Sequence, residues 1–214
     1  PGMYIGSTGP RGLHHLVYEI VDNSMDEVGA GYANEIWVEL KPDNTITITD
    51  NGRGNPVDNH PKYPDKSALE VSLTTLHSGG KYSNKVYQTS GGLHGVGSSV
   101  VNALSEFMEV EVFRDGNIYK QNYARGIPTS KLEVVGKIKA RGTKITFKPD
   151  ATIFGENNIF KPLRLYRMIR SKAFLFKGVK INWKCDESLI SQDVNVPSES
   201  VLCFPNGIKD YLSE

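Results

Sequence analysis

Between residues 11 and 28 apolar side chains return every three or four positions, at Leu13, Leu16, Val17, Ile20 and Val28, with Ser24 on the same stripe. That spacing predicts an amphipathic helix. A second, narrow stripe runs beside it, with Glu19, Asn23 and Asp26 at i, i+4 and i+7 and Glu27 one step further round. It carries no lysine or arginine. A solvated helix face would also hold acids, but carboxylate and amide without a counter-charge suit magnesium and water better than solubility. Gly29-Ala30-Gly31 closes the helix.

The pattern then alternates with period two over 35–40 and 45–49, around Lys41-Pro42-Asp43-Asn44, which predicts a β-hairpin with one buried face. Its second strand runs into Asp50-Asn51-Gly52-Arg53-Gly54. An acid at a strand end followed by glycines fixes a carboxylate beside exposed backbone, although a tight turn needs the same residues. Helical spacing returns over 67–77 and 160–176. The second of these has a basic face (Lys161, Arg164, Arg167, Arg170, Lys172) that reads as solvated. Strands are predicted at 108–114, 118–124, 132–138, 143–147, 179–184 and 201–204, a turn at Asp115-Gly116-Asn117, and a helix from Ile208. Residues 1–6 read as irregular. With no repeats and no low-complexity tract, one α+β domain over 1–214 is expected: a two-layer sandwich of a mixed β-sheet with helices on one face.

Gly91-Gly92-Leu93-His94-Gly95-Val96-Gly97 fits neither a packed helix nor a flat strand. Glycine there allows positive φ and brings bare N–H groups close to another group. Ser98 and Ser99, then Val100, Val101 and Leu104, predict a helix opening directly behind it. A surface loop and a hinged lid over an anion are both compatible with this composition; Leu93, Val96 and the following helix favour the lid. The common phosphate-loop and dinucleotide fingerprints are absent.

Charge narrows the partners. Twenty-five basic and 24 acidic residues give a formal charge of +1. They are interspersed, so no basic stripe stands ready for a nucleic-acid backbone and any DNA grip is expected mostly outside this segment. Cys185 and Cys203 lie apart, without zinc spacing, which suits a reducing cytoplasm and predicts two buried structural thiols. No run is long and apolar enough for a membrane span. A start at Pro1 and a stop inside a helical pattern suggest a piece of a longer chain.

Five motifs in this order carry a resemblance: Glu19-Ile20-Val21-Asp22-Asn23-Ser24, Asp50-Asn51-Gly52-Arg53-Gly54, Leu76-His77-Ser78-Gly79-Gly80-Lys81, Gly91 to Gly97, and Arg141-Gly142-Thr143. Together they resemble the ATP-binding domain of the gyrase, heat-shock chaperone, histidine kinase and mismatch-repair ATPases. Within that superfamily the likeness to the B subunits of type II topoisomerases spans nearly the whole chain. Tyr82 to Gln88, Arg114-Asp115-Gly116, Phe154-Gly155 and Cys203 to Leu212 are similar to the B subunits of topoisomerase IV rather than gyrase.

The resemblance implies a nucleotide held between helices under the glycine lid. Asp50 would accept from the adenine amino group, with Gly54 and Thr143 completing that edge. Asn23 would bind Mg2+ through its amide oxygen, and Glu19 would be the general base for the attacking water. Gly92, Leu93, His94, Gly95, Val96, Gly97 and Ser98 would wrap the phosphates, Lys81 would add charge, and Tyr87 would line the cofactor site. Glu27 and Arg53 would pair across the pocket floor, a structural tie. His14, His15, His60 and His77 are read as structural. Asn55 departs from the family, which places an apolar residue below the adenine. The implied activity is an ATP-driven clamp for duplex passage, with relaxation and decatenation. Implied partners are a topoisomerase IV A subunit, a second copy of the B subunit when ATP binds, and DNA through the full enzyme. Competitive inhibitors would share the ATP pocket. The B subunit of gyrase, with negative supercoiling, is the alternative. A non-hydrolysing nucleotide-gated module would need no base at Glu19, and a sensor kinase would need a phospho-accepting histidine helix.

Overall fold

The computed structural model describes residues 2–76, 97–192 and 195–214. It begins with a single helical turn, α1 (Gly2–Ile5), where the sequence reads as irregular, and the turn buries Ile5. The long helix α2 (Pro10–Gly29) starts on a proline, which supplies a preset φ and lacks the N–H that would go unpaired there. Its buried side is Leu13, Leu16, Val17, Ile20, Val21, Ser24 and Met25.

The hairpin β1 (Glu35–Leu40) and β2 (Ile46–Asp50) follows, joined through Asp43 and Asn44, both at positive φ. A small two-stranded ribbon, β3 (Asn59–His60) and β4 (Tyr63–Ser67), comes next; the sequence pattern does not predict it, because its strands are short and exposed rather than alternating. Ser67 then caps α3 (Ala68–Thr74) by accepting from Glu70 N at 3.0 Å. The next described element is α4 (Gly97–Ala103). β5 (Ser105–Arg114) and β6 (Asn117–Ala124) are joined at Asp115-Gly116, both at positive φ, as a two-residue hairpin of this twist requires. β7 (Ile127–Pro128) and β8 (Glu133–Lys137) both pair with β6. β9 (Gly142–Pro149), α5 (Ala151–Phe154), α6 (Pro162–Leu175), β10 (Lys180–Cys185), β11 (Glu199–Leu202) and α7 (Ile208–Leu212) complete the chain.

Among the described residues nine strands form one sheet in the order β11-β10-β1-β2-β9-β5-β6-β7, with β8 also on β6. The sheet is mixed because β1 and β10 run parallel while their neighbours are antiparallel. Ile36, Val38, Ile48, Val110, Val112 and Phe147 lie buried under α2 and α6 in one core. The other face is polar: Thr47 bonds Thr146 at 2.8 Å, and Lys120–Glu109 and Lys144–Glu111 pair across strands at 3.2 and 3.6 Å. This is the two-layer α+β arrangement that the alternation predicts.

Two expectations are corrected by the packing. Cys185 is buried as expected, but Cys203 is exposed, one residue past the end of β11 where the sheet no longer covers it. The basic face of α6 is partly tethered rather than only solvated. Lys172 pairs with Asp22 of α2 at 2.7 Å, Arg164 donates to Tyr18 Oη at 3.2 Å, and Arg170 pairs with Glu214.

Candidate functional site

The last residue of β2 falls on the buried side of the sheet, in phase with Ile46 and Ile48. Asp50 is therefore a carboxylate inside the core layer, only 8% exposed. It is held at both oxygens: Ser24 Oγ donates to Oδ2 at 2.8 Å and Gly52 N donates to Oδ1 at 2.9 Å. Ser24 thus sits on the apolar stripe of α2 where it meets the acid. Burial raises the Asp50 pKa; the Gly52 and Ser24 bonds oppose this, and the nearby Glu27 carboxylate adds to it.

The turn after Asp50 is shaped by absent side chains. A Cβ on Gly52 would lie 2.8 Å from Glu27 Oε2 and 2.9 Å from Asp50 Oδ1. Gly54, at φ +78°, packs its backbone so closely on the end of β5 that a Cβ would sit 3.0 Å from Phe113 O. Arg114 Nη1 donates to Gly54 O at 2.9 Å, and Thr143, opposite Asp50 on β9, accepts at Oγ1 from Asn55 N at 3.1 Å. Gly142 lies against the carbonyl of Asp50, where any side chain would overlap.

Glu27 binds Arg53 three times, accepting from its backbone N at 3.1 Å, from Nε at 3.2 Å and from Nη2 at 2.7 Å. The guanidinium lies 3.8 Å from the centre of the Tyr32 ring. One turn and two turns earlier on α2, Asn23 Nδ2 donates to Ser98 Oγ at 2.7 Å, and the Glu19 carboxylate lies against Gly97 at the start of α4, with no room for a Cβ there. Asn23 Oδ1 accepts no bond among the described residues. His15 Nε2 is 2.8 Å from Glu19 Oε1.

One face of α2 therefore gathers two sequence-distant pieces, the β2 turn at Ser24 and Glu27 and the start of α4 at Glu19 and Asn23. Glu19, Asn23, Glu27, Asp50, Arg53, Gly54, Gly97, Ser98 and Thr143 are all among the described residues. Lys81, Tyr87, Gly92, Leu93, His94, Gly95 and Val96 lie outside them. His15, read as structural from the sequence, lies 2.8 Å from Glu19 one turn along α2, a contact that their i,i+4 spacing allows. Among the described residues no three His, Cys, Asp or Glu side chains are grouped as a metal cage. No helix there is long and apolar enough to cross a membrane.

Residues 8–153 match the family of histidine kinase-, DNA gyrase B-, and HSP90-like ATPases. The chain belongs to this family. The buried acid, the α2 stripe and the turn described above all fall within the matched residues. Over its whole length the chain is 58% identical to the B subunit of DNA topoisomerase 4 from Bartonella bacilliformis and 57% identical to that from Caulobacter vibrioides, covering 31% and 30% of those proteins. It is 57% identical over 212 residues to the B subunit of DNA gyrase from Thermotoga maritima, covering 99% of this chain and 32% of that protein. The chain thus spans about a third of the length of the curated relatives it matches. Its fold is similar to that of the 43K ATPase domain of Thermus thermophilus gyrase B, solved in complex with an aminocoumarin, with a TM-score of 0.84 and 42% identity. That match covers all of this chain and 52% of the other.

Proposed function

We propose that this chain is the ATP-binding and ATP-hydrolysing domain of the B subunit of a bacterial type II topoisomerase, of the topoisomerase IV kind. The observation that supports the reading most is the pairing of Asp50 with Ser24 on the same helix that carries Glu19, Asn23 and Glu27. Asp50 accepts from the adenine amino group; guanine would present a carbonyl to the same carboxylate and be rejected. Thr143 and the Gly54 backbone bound the adenine edge, and the Glu27–Arg53 pair holds the turn in place.

Glu19 takes a proton from the attacking water, and His15, 2.8 Å away, fixes the orientation of its carboxylate. Asn23 Oδ1 would hold Mg2+ together with the phosphates, and the ion would neutralise phosphate charge. A single amide oxygen fits this role because the phosphates supply the other ligands. Gly97 and Ser98 offer backbone and hydroxyl donors to the phosphates, and by resemblance alone Gly92 to Val96, Lys81 and Tyr87 would complete the site.

In the whole protein, ATP binding brings two copies of this subunit together over a DNA duplex, in a cytoplasmic heterotetramer with the A subunit. Hydrolysis resets the clamp for decatenation and relaxation, and the pocket accepts competitive inhibitors. The identity to the Thermotoga maritima gyrase protein supports the second reading, gyrase, whose full enzyme would introduce negative supercoils. Glu19→Gln tests the catalytic assignment in the intact protein with its A partner. Steady-state hydrolysis should fall by at least about a hundredfold, as loss of a general base does, with nucleotide affinity kept. Unchanged turnover removes Glu19 from that role.

A further inference from the structure

Behind the Glu27–Arg53 pair, the link between α2 and β1 and the link between β8 and β9 enclose an open cleft of about 470 Å3. Its walls include Tyr32, Asn34, Asn51, Lys139 and Arg141, and no carboxylate lines it. Its two charged side chains, Lys139 and Arg141, can only donate. Lys139 is exposed and makes no ion pair or hydrogen bond among the described residues. Arg141 is exposed and spends one N–H on Tyr32 O at 2.8 Å, which holds the guanidinium at the rim with its other donors available. The oxygens of its two side-chain amides are already used. Asn51 Oδ1 takes the backbone N–H groups of Asn34 and Glu35 at 2.9 and 3.1 Å, and Asn34 Oδ1 takes Asn51 Nδ2 at 2.6 Å. That last bond fixes the Asn34 amide in the orientation that presents its own Nδ2.

Several other cations of this domain sit against acids. Arg53, Lys120, Arg125, Lys144, Lys148, Lys172 and Lys180 each face a carboxylate. What sets Lys139 and Arg141 apart is their placement: two cations without a carboxylate partner among the described residues and an oriented amide line one concave space that no acid lines. We propose that this cleft is a second phosphate-binding site, separate from the nucleotide pocket, taking phosphate groups either from a nucleic-acid backbone or from a free polyphosphate. A phosphate seated there would meet Lys139 Nζ as a point charge and Arg141 and Asn34 as directional donors. The cleft is not independent of the nucleotide pocket: Tyr32 takes the Arg141 bond at its carbonyl and carries Arg53 on its ring.

The test uses the 214-residue chain with the nucleotide pocket saturated by a non-hydrolysable ATP analogue. It is titrated with sodium tripolyphosphate and, in a second arm, with a short DNA duplex, and followed by amide resonances. Either titrant, or both, should shift the signals of Asn34, Asn51 and residues 139–141, with affinity that falls as salt rises. Lys139→Ala with Arg141→Ala should weaken that binding about tenfold or more. Lys139→Ala alone, which breaks no bond inside the protein, should weaken it about threefold and cannot be dismissed as misfolding. Binding of the duplex alone assigns the source to nucleic acid, and binding of tripolyphosphate alone assigns it to free anions. If neither titrant moves these signals, or if both variants bind as wild type does, the proposal is wrong. Repeating the titration without the analogue keeps the result independent of the ATP reading.

Discussion

Replacing Asp50 by Asn changes one oxygen into an NH2 group at nearly constant volume, and the surroundings dictate what that does. Gly52 N needs an acceptor at 2.9 Å, so the amide oxygen of the variant must turn there. The NH2 then faces Ser24 Oγ, whose hydroxyl can rotate to accept. The remaining NH2 hydrogen points where the adenine amino group would donate. A charged acceptor is lost, worth about 1.5–3 kcal/mol, and a donor meets a donor. At about 1.36 kcal/mol per decade, ATP affinity should fall roughly a hundredfold or more. The free protein should not suffer, because a buried charge has been removed from a site whose burial already disfavours it. Calorimetric titration with ATP and Mg2+, paired with thermal denaturation without nucleotide, separates the two effects. A dissociation constant within about threefold of wild type, with the melting temperature intact, would refute the adenine role of Asp50.

Three further outcomes follow from other buried or half-buried groups. His14 is fully buried, donating from Nδ1 to Pro10 O at 2.7 Å and accepting at Nε2 from Lys161 N at 2.8 Å; burial first, and Arg164 and Lys161 after it, lower its pKa against the opposing pull of the Pro10 bond. The ring is neutral when folded and gains a proton on unfolding, so its stability contribution is present above about pH 6.5 and is lost as pH falls below it, by up to about 1.4 kcal/mol per pH unit. Denaturant titrations of wild type and His14→Gln between about pH 5 and 8 should show that slope only in the wild type. Asp26 has its pKa raised to about 6, first by burial and then by Asp22 and Glu27, with Lys172 opposing. Its ionised form costs stability as pH rises through about 6. Asp26→Asn should stabilise at about pH 7.5 by about 1–1.5 kcal/mol, roughly half the full linkage value because the group is partly solvated, and the gain should vanish near about pH 4. Asp150 is buried, accepts from Thr152 N and Oγ1 at 3.0 and 2.7 Å, and pairs with Arg125 at 2.8 Å. Asp150→Ala should cost about 1–2 kcal/mol in chemical denaturation, mostly from the lost helix cap, since its partner Arg125 is half exposed and the ion pair is screened by solvent.

Much of this molecule is legible one residue at a time. The spacing of Leu13, Leu16, Val17 and Ile20 specifies α2, the alternation on either side of Asp43-Asn44 specifies the first hairpin, and Asp115-Gly116 specifies the second. Each is a local property: a period, or a backbone angle that few residues tolerate. The acid and amide stripe of α2 and the Asp50 turn are visible for the same reason. What the letters cannot decide is which distant pieces touch. The parallel pairing of β1 with β10 joins residues about 145 apart, and no local pattern encodes such a partner. The bond from Ser24 to Asp50, the exposure of Cys203, the tethering of Lys172 and the acid-free cleft at Arg141 all depend on that packing. Sequence determined the longer, periodic elements and the chemistry each one carries, because those follow from bonded neighbours, whereas the short turn α1 and the exposed β3–β4 ribbon carry no such period. Only the tertiary structure decided that the carboxylate ending β2 lies beside the helix bearing Glu19 and Asn23, because burial against a shared core is a property of the whole chain.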